Sequence, residues 1–328
     1  MSLPYEAVQP RAVMSAVSAD GTRIHIEEYG RTNGPTVVLA HGWTCSTVFW
    51  APLVRALSSD YRLVAYDQRG HGRSAAPATR RGYGTRFLAD DLEAVLEATV
   101  PDGEQAVLVG HSMGGMTIMA ASDRAAVRSR TAAALLASTG SGRLLGATEV
   151  LPARFSARRL RRAFHKQLLV SRLPLGPVTP ISRAALKYGV LSPGATPEQV
   201  AFCARIVHAC RPRHRSGWGR VLAVLDLDAE LTALTVPTAV LVGTADKLTP
   251  KVHSRGMAEA LQHCVGLTEL PGIGHMTPVE DTQAVEAVVR RLVADYLMDD
   301  QLTSGDQKAD SVENRPVDVT VAEEEKSA

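Results

Sequence analysis

No stretch of about 18 apolar residues occurs in the 328-residue chain, so no helix is expected to span a membrane. Cysteine is scarce. Its four copies, at 45, 203, 210 and 264, show no CxxC spacing, which excludes a zinc ribbon and a disulfide scaffold. The first residues, MSLPYEAVQPRAVMSAVSADG, lack a basic stretch followed by a continuous apolar one. No secretory signal is expected, and the expected location is cytoplasmic. No repeat with a period of 20–50 residues is apparent. What is there is a globular composition: 45% hydrophobic residues suffice for a sizeable core and exclude a chain disordered throughout.

The net charge of +2 conceals three regimes. Residues 140–220 hold 15 Lys+Arg and 2 Asp+Glu, a net +13. Residues 299–328 hold 3 basic and 9 acidic residues, a net −6, with no aromatic residue and no apolar periodicity. That stretch reads as a disordered acidic tail. The remainder is mildly acidic.

Short apolar β-branched runs recur at 36–40, 62–66, 106–110 and 238–242, with an alternating strand at 22–29. Between them lie helical patterns such as 86–99, where Phe87, Leu88, Leu92, Val95 and Leu96 share a face. This alternation argues for an α/β fold with a mostly parallel sheet covered on both sides. The carboxyl ends of such strands hold ligands, and here they carry HGWTCS, DQRGHGRS, GHSMGG and GTADKLTP. The alternation breaks at 140–217, where seven prolines cut the chain into short helices. The expected organisation is a core in two parts, 1–139 and 218–298, a helical basic cap at 140–217 and the tail at 299–328. Phe155, Leu160, Phe164 and Leu168 recur near helical spacing within the cap, as a lining for an acyl channel or as packing against the body.

Gly110-His111-Ser112-Met113-Gly114 follows an apolar strand and opens a helical run, the context of a nucleophile elbow. A serine needs a base, and His275 in LPGIGHMTPVED lies in a loop after a short apolar run. The imidazole needs a carboxylate to set its tautomer, and Asp246 follows the preceding strand. An acid one strand earlier is excluded, because residues 131–142 contain no carboxylate. The oxyanion requires donors, for which the amides of Met113 and Trp43 are the candidates. His41 is expected to brace that loop. The set His208, Cys210 and His214 is flanked by Arg211, Arg213 and Arg215 and interrupted by Pro212, which argues against a metal site.

These residues resemble the α/β-hydrolase superfamily over about residues 20–298. His41-Gly42-Trp43, the run Asp67 to Ser74, Gly110 to Gly115, Asp246 and Gly274-His275 all fall in that family's order. The resemblance implies an eight-stranded sheet with a helical cap inserted after the sixth strand. It also implies a serine esterase or lipase of the monoacylglycerol-lipase or small-esterase kind. Epoxide hydrolases and haloalkane dehalogenases are similar but carry aspartate where this chain has Ser112. Carbon–carbon bond hydrolases usually have asparagine where it has His111. The HGW loop resembles that of cofactor-free haloperoxidases with perhydrolase side activity.

The resulting expectation is a hydrolase that cleaves carboxylic esters through an acyl-enzyme, with no cofactor and no metal. Its partner is a small-molecule ester, lipid-like or anionic. Acyl-CoA or carrier-protein thioesters and perhydrolysis are the alternatives, and a non-catalytic ligand-binding protein is the reading from another class. The basic cap can be a solvated face or an attraction to anionic lipid or phosphate. Nucleic acid is not expected, because no recognition motif accompanies the charge.

Overall fold

The computed structural model describes residues 5–151 and 158–298. Eight strands form one sheet: β1 Ala12–Val17, β2 Arg23–Gly30, β3 Thr36–Ala40, β4 Arg62–Tyr66, β5 Ala106–His111, β6 Thr131–Ala137, β7 Thr238–Gly243 and β8 Cys264–Leu270. The spatial order is β1-β2-β4-β3-β5-β6-β7-β8. β2 pairs antiparallel with both β1 and β4, and every later pairing is parallel. The edge strand β1 goes beyond the strands legible in the sequence. Val13 and Val17 on it are exposed, so it lacks the continuous buried run that marks the central strands.

The central strands read as unbroken apolar runs because both of their faces are covered. Along β3, Val37 and Leu39 point into one core cluster, with Leu53 of α1 (Ala51–Leu57). Val38 and Ala40 point into the other, with Leu92 of α2 (Thr85–Thr99) and Met116 of α3 (Met113–Ala120). β5 divides in the same way, Val107 and Val109 against Ala106 and Leu108. α2 covers the expected 86–99 helix: Leu88, Leu92, Val95 and Leu96 are buried, and the half-buried Phe87 ring lies under the guanidinium groups of Arg69 and Arg86.

Helix α4 (Ala125–Arg130) precedes β6, and the helices described between β6 and β7 are α5 (Leu144–Ala147), α6 (Arg158–Val170), α7 (Pro180–Val190), α8 (Pro197–Ala209), α9 (Pro212–Leu222) and α10 (Asp228–Thr232). The prolines here start helices: Pro180, Pro197 and Pro212 each occupy a first helical position, where a missing N–H costs no bond. Thr179 and Thr196 close capping boxes ahead of α7 and α8. The expected cap limit at 217 falls inside α9. That helix is continuous with the core, because Trp218 is fully buried and its indole N–H donates to the Arg69 carbonyl at 2.9 Å. Helices α11 (Lys251–Ala260), α12 (Thr277–Glu280) and α13 (Thr282–Val293) complete the layers. Phe155 and the expected tail at 299–328 lie outside the described residues.

Candidate active site

The order in which strands are added reverses at β3. β4 lies on one side of it and β5 on the other, which leaves a crevice between the carboxyl ends of β3 and β5. His41-Gly42-Trp43 leaves β3 and Ser112 leaves β5, so the topology sets the candidate donor loop beside the candidate nucleophile. A Cβ on Gly42 would lie 3.1 Å from the Ser112 Cβ and 2.8 Å from the His111 Nδ1.

Ser112 has φ 53° and ψ −117°, a conformation that costs an L-residue roughly 1–3 kcal/mol. The surrounding glycines make that turn possible. A Cβ on Gly114 would sit 1.9 Å from the Ala40 carbonyl oxygen, and one on Gly110 would sit 2.6 Å from the Gly114 backbone. Thr139 donates its hydroxyl to the Ser112 carbonyl at 2.7 Å, and the Ser112 amide donates to the Ala137 carbonyl at 2.9 Å. The serine is 9% exposed. Helix α3 starts immediately after it, so the positive end of the helix faces the hydroxyl.

Asp246 and His275 come together across the ends of β7 and β8. The His275 Nδ1 lies 2.8 Å from the Asp246 Oδ2, and both residues are buried. Asp246 is itself held in place. Its Oδ1 accepts from the amides of Leu248 (2.8 Å) and Thr249 (2.9 Å), and its Oδ2 accepts from the Thr249 hydroxyl (2.8 Å). A carboxylate accepts only, so Nδ1 is the donor of the pair, which in the neutral imidazole leaves Nε2 as the acceptor. Among the described residues no hydrogen bond joins the Ser112 hydroxyl to the imidazole. Such bonds are commonly long before substrate binds and tighten with it.

Neither the Trp43 nor the Met113 amide donates a hydrogen bond among the described residues. The loop carrying Trp43 is braced as expected. The His41 Nδ1–H donates to the Gly42 carbonyl at 2.8 Å, and its Nε2 accepts from the Gln68 amide at 3.0 Å. Burial lowers the His41 pKa to about 4, so the ring is neutral and works as a strut. His71 accepts from the Thr44 amide at 3.2 Å, and burial, with His41 nearby, brings it down to about 3.

Three positioning residues were not read from the sequence. His111 donates from Nε2 to the His275 carbonyl at 2.8 Å and so ties the elbow to the histidine loop. Glu280 accepts from the amides of Ser192 (2.7 Å), Gly274 (3.2 Å) and Met276 (3.1 Å), which clamps both sides of His275. Thr249 steadies the acid. A weak signal existed in the spacing Asp246-x-x-Thr249, a local Asx-type turn. Glu280 carried none, because its partner Ser192 is 88 residues away.

The helices after β6 touch both site loops. The Val190 carbonyl at the end of α7 accepts from the His275 amide at 2.9 Å, and the Arg215 carbonyl of α9 accepts from the Trp43 indole at 3.0 Å. His208 and His214 turn to separate partners, the Gly176 carbonyl (3.0 Å) and the Tyr83 hydroxyl (2.7 Å). No group of three or more His, Cys, Asp or Glu side chains suited to a metal ion occurs among the described residues. No described helix is long and apolar enough to cross a membrane.

The α/β hydrolase fold family matches residues 35–282, and the chain belongs to it; it is an enzyme, a hydrolase. RutD of Variovorax paradoxus, a carbamate hydrolase by name, is 32% identical over 278 residues, covering 84% of this chain and 96% of the relative. A protein of Burkholderia pyrrocinia named non-heme chloroperoxidase is 28% identical over 265 residues, covering 78% of this chain and 90% of the relative. Among solved structures, the esterase RhEst1 from Rhodococcus is similar with a TM-score of 0.64 and 26% identity, over 87% of this chain and 99% of that one.

Proposed function

We propose that this hydrolase cleaves carboxylic esters through an acyl-enzyme on Ser112. The observation that carries the reading is the buried Asp246–His275 hydrogen bond, tied through the His111 bond to the His275 carbonyl to the strand end where Ser112 is held in strained geometry. His275 Nε2 takes the Ser112 proton as Oγ attacks the ester carbonyl. The amides of Trp43 and Met113 donate to the resulting oxyanion, a class of contact worth roughly 3–4 kcal/mol per donor. As the tetrahedral adduct collapses, His275 returns the proton to the leaving alcohol. Water then attacks the acyl group, again giving its proton to His275, and the acid departs. The helices between β6 and β7 act as a cap over this site, by their bonds to the His275 and Trp43 loops.

A second reading goes with a similar protein of Acinetobacter calcoaceticus named a bifunctional esterase/perhydrolase, 39% identical over 97 residues and 29% of this chain: hydrogen peroxide replaces water at the deacylation step and yields a peracid. Thioesters would use the same five groups. A cytoplasmic location goes with the reading, and the four free thiols fit a reducing compartment.

Ser112→Ala tests the proposal. Hydrolysis of p-nitrophenyl esters should fall by several orders of magnitude, leaving only the residual catalysis of binding and oxyanion donors. A fluorophosphonate should label wild type once and this variant not at all. Labelling that survives the substitution would move the nucleophile elsewhere. Acyl-CoA thioesters, and peroxide with a short ester, run in parallel decide between the acceptor and leaving-group alternatives.

A further inference from the structure

Helix α6 packs Leu169 against the core but leaves a second apolar row outside. Leu160, Phe164 and Leu168 stand on successive turns and are 65%, 46% and 49% exposed. The helix instead buries His165, whose Nε2 accepts from the Leu151 amide at 3.3 Å. The expected packing of this stripe on the body is therefore corrected: its described members are exposed. Leu173, in the loop that follows, is 75% exposed. Scattered exposed leucines are ordinary, but an apolar row of this kind marks an interaction surface.

The charge beside it is of one sign. From Val150 to Pro197 the sequence holds nine Lys and Arg and no Asp or Glu. Arg159, Arg162, Lys166 and Arg172 are exposed, and none forms an ion pair among the described residues. Arg172 also lines a cavity of about 660 Å³ with Thr79, Arg80, Pro212 and Arg213, so the cationic surface continues to the start of α9. The positive field is felt there: burial, then Arg213 and Arg211, lower the His214 pKa.

We propose that this face, α6 and the loop after it, docks on an anionic lipid surface. An apolar row flanked by unpaired basic side chains is what an interfacial helix needs, with its side chains in the acyl boundary and its charges among the headgroups. A second copy docking through the same face would bring like charge against like charge, with no carboxylate in the segment to offset it. The inference goes beyond the esterase reading and does not depend on it.

The test is cosedimentation of the full chain with vesicles of phosphatidylcholine alone, and with roughly a third phosphatidylglycerol. Wild type should bind the anionic vesicles at low salt and release as salt rises, since screening acts beyond about 8 Å at physiological strength. Each basic side chain at such a surface contributes about fivefold, so Arg159→Gln, Arg162→Gln and Lys166→Gln together should weaken binding about a hundredfold. Leu160→Ser, Phe164→Ser and Leu168→Ser together should weaken it at least about tenfold. Both sets should keep hydrolysis of a small soluble ester. Absent binding, or equal binding to neutral vesicles, would overturn the proposal. So would a concentration-dependent dimer, abolished by the serine set, in a protein that ignores vesicles. Since the readout is not activity, failure here leaves Ser112 untouched, and an inert Ser112 leaves the docking face untouched.

Discussion

Asp246→Asn has an outcome that the surrounding bonds dictate. Two amide N–H groups, from Leu248 and Thr249, point at Oδ1. An asparagine must place its carbonyl oxygen there, because an NH₂ group in that position would face two donors and leave them unpaired in a buried site. The NH₂ is then forced into the Oδ2 position, 2.8 Å from the His275 Nδ1 and 2.8 Å from the Thr249 hydroxyl. There it can only donate, so Nδ1 must accept and the ring proton moves to Nε2. That tautomer cannot take a proton from Ser112. The loss expected is about 10⁴-fold in kcat/KM, or about 5 kcal/mol of transition-state stabilisation, as for a serine protease altered in the same way. The fold should survive, since both amides and the threonine hydroxyl retain partners. The assay is p-nitrophenyl ester hydrolysis alongside thermal melts of both proteins. An asparagine variant with more than about a tenth of wild-type activity and an unchanged melt would refute the reasoning and give the orienting role to another group.

Gly114→Ala should abolish activity and sharply lower the soluble yield, because its Cβ would lie 1.9 Å from a backbone oxygen, whereas Gly146→Ala, with nothing within 4 Å, should melt like wild type; matching melts for the two would contradict the packing of the elbow. Acid should destabilise the fold through His41 and His71. Their folded pKa values are depressed to about 4 and about 3 from 6.5, so the unfolded chain binds more protons between these limits. Stability is then complete above about 6.5 and falls as pH drops toward 4, by up to about 1.4 kcal/mol per pH unit for each ring. Calorimetric melts of wild type and His41→Asn between those limits check this, and identical pH slopes for the two would remove His41 from the account.

Much of the candidate site was legible before any fold, because it is encoded in short local runs. A strand that ends in Gly-His-Ser-Met-Gly-Gly can only turn as it does if Gly110 and Gly114 lack side chains, and that demand shows in the residues themselves. The parallel strands were visible for a similar reason: burial on two faces removes alternation and leaves runs such as Thr36–Ala40 and Ala106–His111. The same logic hid β1, whose exposed valines resemble no buried run.

Other features are relations between distant segments, and no local run carries them. The clamp of Glu280 on Ser192, and the reach of His111 to the His275 carbonyl, exist only once β5, β8 and the end of α7 are neighbours. Helix α6 makes the distinction sharpest. Helical period alone determines that Leu160, Phe164 and Leu168 share a face. Which way that face turns depends on what the rest of the chain presses against the helix, and here the body takes His165 and Leu169 and leaves Leu160, Phe164 and Leu168 to the outside. Periodicity reports which side chains travel together, while only tertiary packing decides whether the company they keep is core, solvent or a surface the protein has yet to meet.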